Sequence, residues 1–185
     1  FDPFIPWAAR EMAKFSKNGD EDNYDMIGDY LADEKSRLVE WYVKKKPDLM
    51  KLSLDEVIEA VERYEEDIEP ETVFEWDDGW RVVQLATPSQ LNRAGTELKN
   101  CLRKDSSYHE GFCRKIDQGK ADYYALLGAD GDYRVAVEWN KGEKSPEQVY
   151  AYDNKEPTGK DEERINEWIE SKGGEPANPI KALRG

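Results

Sequence analysis

Pro70 divides this chain into two halves with different apolar periods: three-to-four-residue spacing dominates before it, and two-residue alternation sets in after it. Helices therefore come first and strands later, without the regular strand-helix-strand alternation of a parallel sheet. The chain reads as α+β: an N-terminal helical segment followed by an antiparallel sheet with two or three packed helices.

In the first half, Phe4, Trp7, Ala8, Met12 and Phe15 recur at helical spacing, and the polar run from Lys17 to Asn23 reads as a loop. A second helix is expected from Tyr24 to Lys46, with Ile27, Tyr30, Leu31, Leu38, Trp41 and Tyr42 on one stripe and Pro47 as its stop. Ser53-Leu-Asp-Glu56 is a capping box, and Leu54, Val57, Ile58, Val61 and Tyr64 give the third helix a buried face. These elements form an acidic helical subdomain, residues 1–70.

In the second half, Thr72 to Trp76 and Trp80 to Leu85 flank the turn Asp77-Asp-Gly79, which predicts a hairpin. Thr87-Pro-Ser-Gln90 opens a short helix that Gly95 is expected to close, and Ser107-Tyr-His-Glu110 opens another that runs to Gln118 and stops at Gly119. Strands at Asp122–Leu127, Tyr133–Trp139 and Gln148–Tyr152 form a meander, and a helix from Asp161 to Ser171 follows. Residues 71–172 make the α+β domain, and 173–185 a tail.

The chain holds 41 acidic and 27 basic residues, a formal charge of −14. Residues 1–70 carry 19 acids and 10 bases, so most of the excess lies in the helical half. Such a field disfavours direct nucleic-acid binding through the bulk surface, though it would suit a mimic of nucleic acid. Six Trp, ten Tyr and five Phe supply enough large apolar side chains for a packed core. No run approaches the ~20 apolar residues of a membrane span, and Phe1-Asp-Pro-Phe-Ile-Pro-Trp7 lacks the basic and apolar regions expected of a signal peptide. A cytoplasmic protein with no membrane association is expected.

Both cysteines and the only histidine fall between Cys101 and Cys113. Cys101 is a candidate nucleophile with His109 as candidate base, while His109 and Cys113, four residues apart, share a helix face. The alternative is that Cys101 is a small apolar plug between helix and sheet. No metal is assigned, because the tight Cys pairs typical of zinc are absent, and no cofactor is assigned, because no Walker loop or GxGxxG is present. Tyr108, Arg103, Arg114, Gln148 and Asn154 are the ligand-binding candidates: amides and an aromatic beside a basic cluster that also includes Lys104 and Lys115. Each also has a purely structural reading as a turn, cap or solvated helix end.

The order Gly95-Thr96, Asn100-Cys101, Tyr108, Gly119, Tyr123-Tyr124, Val135-Ala-Val-Glu138 and Gln148-Val-Tyr-Ala-Tyr-Asp-Asn154-Lys-Glu-Pro157 resembles the PcfJ-type domain of conjugative-plasmid and phage proteins, over about residues 72–170. The helices before it are loosely similar to phage versions, from which the chain departs by having Asn100 where that subset places Trp. The resemblance implies a mobile-element protein, located in the host cytoplasm if phage-encoded, and implies no reaction. The expected function is an accessory module that binds a host or phage macromolecule, with a protein as the expected partner. Two alternatives stand beside it: a cysteine-dependent enzyme using Cys101, its reaction unspecified, and an acidic nucleic-acid-mimic inhibitor.

Overall fold

The computed structural model describes residues 4–16 and 35–174. The Lys17–Asn23 loop, the first part of the second helix with Ile27, Tyr30 and Leu31, and the tail beyond Gly174 lie outside the described residues. The architecture is α+β, and the chain divides into two compact units, Phe1–Ile68 and Glu69–Gly185.

The first unit contains α1 (Phe4–Ser16), α2 (Lys35–Lys45), a 3₁₀ turn (Leu49–Lys51) and α3 (Leu54–Glu66). Their apolar stripes close one core around Trp7, Leu38, Trp41, Leu49, Leu54, Val57 and Val61, with Met12, Tyr42, Ile58 and Tyr64 partly buried at its margin. Ser53 forms the expected capping box, accepting from the Glu56 amide while Glu56 accepts from the Ser53 amide. A second capping interaction comes from outside the helix. The Glu11 carboxylate, 2% exposed, accepts from the Leu54 amide (3.2 Å) and from Arg10 (2.9 Å) and Lys14 (2.8 Å). Trp7 adds a hydrogen bond from Nε1 to the Leu52 carbonyl (3.0 Å), tying α1 to the start of α3.

The second unit is built on a five-stranded antiparallel sheet in simple sequence order: β1 (Glu71–Glu75), β2 (Arg81–Gln84), β3 (Ala121–Leu127), β4 (Tyr133–Asn140) and β5 (Ser145–Tyr150). The hairpin β1–β2 turns at Gly79, which takes φ +84°. Between β2 and β3 the chain leaves the sheet to form α4 (Pro88–Leu98) and α5 (His109–Asp117), then returns to pair antiparallel with the strand it left. α6 (Lys160–Ser171) follows the last strand.

Because side chains alternate across a strand, the sheet contributes to two cores. Val83, Leu85, Ala121, Tyr123, Ala125, Leu127, Ala136 and Tyr150 pack with Leu91, Ala94, Leu98, Leu102 and Phe112 from the α4–α5 segment. Val82, Tyr124, Leu126, Val135, Val137 and Trp139 pack with Ile165, Trp168 and Ile169 of α6. Burial on both faces explains why β3 reads Ala-Asp-Tyr-Tyr-Ala-Leu-Leu, with no clean alternation of polar and apolar residues. Among the described residues, no helix is long and apolar enough to cross a membrane.

Boundaries differ from the sequence reading at β5, α4 and α5. β5 runs Ser145–Tyr150 in place of the expected Gln148–Tyr152, and Tyr152 falls in a 3₁₀ turn. α4 does not close at Gly95: it continues to Leu98, and Lys99 supplies the left-handed terminal residue (φ 49°, ψ 46°). Gly95 is instead an interior helical residue over which the next loop passes. A Cβ there would lie 2.3 Å from the Arg103 nitrogen and 2.5 Å from the Leu102 carbonyl carbon. At α5 the box at Ser107 does not form; Ser106 Oγ accepts from the Tyr108 amide (3.2 Å) and the helix begins at His109.

Two stability measurements follow. Gly to Ala inside a helix ordinarily gains up to about 1 kcal/mol, but Gly95→Ala should lose roughly 1–3 kcal/mol in denaturant unfolding through the overpacked loop. For Glu11, burial pushes the carboxyl pKa up, but hydrogen bonds from Lys14, Arg10 and the Leu54 amide outweigh it and leave it below the ordinary value. A lowered folded-state pKa stabilises above the unfolded value and fades as pH falls through the folded one. Glu11→Gln should therefore be less stable than wild type at pH about 7, with the gap in melting temperature narrowing below about pH 4.

Candidate functional site

The segment that links α4 to α5 sets the position of the only imidazole through a short series of backbone contacts. Lys99 turns the chain, and the Asn100 amide donates back to the Gly95 carbonyl (3.0 Å), closing the helix by a six-to-one bond. Asn100 Oδ1 then accepts from the Leu102 amide (3.1 Å). Leu102, fully buried, offers its carbonyl to His109 Nδ1 at 2.7 Å. A carbonyl oxygen only accepts, so Nδ1 carries the hydrogen and Nε2 is left as an acceptor. Nε2 faces the Cys113 thiol, 3.5 Å away, one turn along α5.

The imidazole therefore pairs with Cys113, while Cys101 has a different neighbour. Cys101 is half-buried against the α4–α5 core, with Tyr150 of β5 beside its thiol. Burial pushes its pKa up, more than the Tyr150 contact lowers it. Cys101 is thus held as a protonated thiol, unlike the electropositive settings that activate cysteine nucleophiles.

Beneath these residues the sheet presents a row of polar side chains. Tyr123 of β3 is the register partner of Glu138 on β4, which is the partner of Gln148 on β5. Tyr150 lies two residues further along β5, on the same face. Glu138 is fully buried and paired with Lys115 of α5, whose side chain is 39% exposed. Among the described residues, Asn100 Nδ2, Tyr123 Oη, Glu138 Oε2, Gln148 Oε1 and Tyr150 Oη are buried with no hydrogen-bond partner in the chain. The Tyr123 hydroxyl approaches the Glu138 carboxylate and the Tyr150 hydroxyl approaches the Cys101 thiol, each without reaching hydrogen-bond geometry. Burial, reinforced by neighbouring groups including Glu138, drives both phenol pKa values far up, so both remain O–H groups. A buried polar atom without a partner costs about 1–3 kcal/mol; this row is therefore where the fold has spare capacity for a polar partner.

The ligand-binding candidates divide between this row and its rim. Gln148 belongs to the row. Tyr108 is 51% exposed and stacks on Phe112 at 6.4 Å. Arg103 pairs with Asp105 (3.4 Å), and its charge reaches Lys99, which lies 5.4 Å from the ring centre of half-exposed Tyr152. Asn154 occupies the exposed turn after Tyr152, with Asp153 and Asn154 both left-handed (φ 58° and 55°). Arg114 is exposed on α5, on neither the row nor the Tyr152 turn. Lys115 leaves the expected basic cluster by turning inward to Glu138. Among the described residues, no three His, Cys, Asp or Glu side chains gather as a metal site.

Sequence reasoning did not single out Tyr123, Glu138 or Tyr150 as site residues and placed Lys115 only in the basic cluster. One signal was present: an acid inside the apolar strand Val135-Ala-Val-Glu-Trp139, which a strand buried on both faces tolerates only with a partner. Compared with known proteins, the chain matches no family model, and no curated protein or solved structure is significantly similar to it.

Removing one member of a buried ion pair strands the other. Lys115→Ala should destabilise the unit by about 3 kcal/mol, the lower end for such pairs because the lysine reaches solvent. Lys115→Ala combined with Glu138→Gln should cost less than the sum of the single changes in a double-mutant cycle of unfolding free energies.

Proposed function

We propose that the chain is an accessory protein of a phage or other mobile element, whose second unit binds a macromolecular partner, a protein, through the rim above the polar row. The observation that carries this reading is the composition of the rim: Tyr108 and Tyr152 are about half exposed, and Lys99 lies over Tyr152 with Arg103 close by. Exposed tyrosines beside cations are the residue types in which interfaces concentrate their binding energy. On a chain of charge −14, Lys99 and Arg103 favour an acidic segment of the partner, with Asp105 and Asp153 as the carboxylates already beside them.

The PcfJ-type resemblance supplies the mobile-element part of the reading. Residues quoted for it include Gly95, which admits the loop, and Asn100, Cys101, Tyr123, Glu138 and Gln148, which lie in or beside the buried row. Other residues of the same pattern, Tyr124, Val135 and Val137, pack on the α6 face, so the pattern spans both faces of the sheet. Binding is favoured over Cys101-dependent catalysis because burial holds that thiol protonated and His109 is engaged elsewhere.

The test is chemical crosslinking and capture from host cells carrying the element, with wild type, Tyr108→Ala/Tyr152→Ala and Cys101→Ala compared. The double tyrosine variant should lose the captured protein by tenfold or more while keeping its melting temperature, since each interface aromatic of this kind contributes on the order of 1–2 kcal/mol. Cys101→Ala should capture normally. Equal capture by wild type and the double variant would sink the proposal, and loss only on neutralising the acids of residues 1–70 would transfer the function to nucleic-acid mimicry.

A further inference from the structure

We infer that Cys113 is a nucleophilic thiol for disulfide electrophiles, with His109 as the base that takes its proton and returns it to the departing sulfur. The inference stands apart from the binding reading above, since it concerns the α5 face and neither Tyr108 nor Tyr152.

Four observations converge on it. Cys113 and His109 are four apart on α5, with Sγ 3.5 Å from Nε2. His109 is 7% exposed, and its Nδ1–H is spent on the Leu102 carbonyl at 2.7 Å, so the nitrogen facing the thiol is the one with a free lone pair. Cys113 itself is half-buried. Opposite it on β3 lies the Tyr123 hydroxyl, 1% exposed and without a hydrogen-bond partner in the chain. That O–H is a donor available to a developing thiolate or to a sulfur bound there.

The same geometry selects the electrophile. Acyl transfer needs backbone amides directed at a developing oxyanion, but Cys113 sits within α5, where backbone amides belong to the helix ladder. Displacement at a disulfide sulfur requires only a thiolate and a proton source for the leaving sulfur. The Sγ–H proton passes to His109 Nε2, and the thiolate attacks one sulfur of the disulfide. The new Cys113 S–S bond forms as the old one breaks, and the departing thiolate takes the proton from the imidazolium. The products are a protein mixed disulfide and one free thiol, with no further oxidant or reductant.

Several groups besides the imidazole bear on the Cys113 thiol. Tyr123 faces it from β3 and stays protonated, and behind Tyr123 lies Glu138 of β4, paired with Lys115 of α5. The imidazole lies within hydrogen-bond reach of the thiol and can take its proton.

The probe is dithiodipyridine, a neutral aromatic disulfide whose released thione is followed by absorbance, reacted with the full chain as Cys101→Ser, Cys113→Ser and Cys101→Ser/His109→Gln. At pH about 6 the folded Cys101→Ser protein should react at least about fivefold faster than the same protein unfolded in urea, which is the net of a larger thiolate fraction and a somewhat weaker nucleophile. His109→Gln should abolish that advantage, and folded Cys113→Ser should lack it. Should the His109 variant not fold, the pH profile of folded Cys101→Ser decides alone. A half-maximal rate below about pH 8 supports the dyad, and one at or above it overturns it. A folded rate no faster than the unfolded one, an advantage that survives His109→Gln, or a fast thiol remaining in Cys113→Ser would equally overturn it.

Discussion

The missing side chain at Gly95 is the constraint on which the second unit's candidate site depends. It allows the Leu102–Arg103 backbone to lie against α4 at a distance no other residue permits. That contact holds the Leu102 carbonyl where it receives the His109 Nδ1 hydrogen, and the resulting tautomer turns Nε2 to Cys113. The helix end contributes to the same placement. Lys99 adopts the left-handed conformation that glycine usually supplies, at a cost of about 1–2 kcal/mol, and the turn brings Asn100 into the buried layer with Lys99 over Tyr152.

The sheet carries two kinds of interior at once. Its α6 face is filled by aromatic and branched side chains, with Trp168 against Tyr124 at 4.8 Å and Trp139 at 6.0 Å. Its α4–α5 face is apolar around Val83, Ala125 and Leu127 and polar along Tyr123, Glu138 and Gln148. Apolar residues in those three positions would make the face more stable, because buried ion pairs are often outmatched by well-packed hydrophobic ones. Retaining a charged pair and several partnerless hydroxyl and amide groups there weakens the fold locally, and functional layers are where such weakening concentrates.

The elements were legible where a local signal coincided with packing. Ser53 with Glu56, Asp77-Asp-Gly79 and the stripe Leu54, Val57, Val61 each act within a few residues, and each became the element it specifies. Gly95 misled because glycine near a helix end has two physical uses, a left-handed terminus and a close approach of backbone, and only the fold shows which applies. The candidate site was legible in part. His109 and Cys113 share a face by helical arithmetic, but the Leu102 carbonyl that fixes the tautomer, the Tyr150 neighbour of Cys101 and the Lys115–Glu138 pair join residues 7 to 49 apart in sequence through loop and register geometry. No periodicity encodes those contacts.

The two thiols show how environment separates residues that the sequence presents as equivalent. Cys101 is buried in a layer that already holds the Glu138 carboxylate, and both features work against a second negative charge more than the contact with the protonated Tyr150 phenol favours it. Cys113 meets the His109 imidazole, whose Nε2 lone pair faces the thiol, and the nearest strand carries the Tyr123 O–H, a hydrogen-bond donor. Thiolate formation is disfavoured at the first; the two thiols lie over the same sheet face, separated by the width of two strands, β3 and β5 flanking β4. Both cysteines face buried phenols of the sheet, Tyr150 and Tyr123, so what separates them is the imidazole that α5 places beside Cys113.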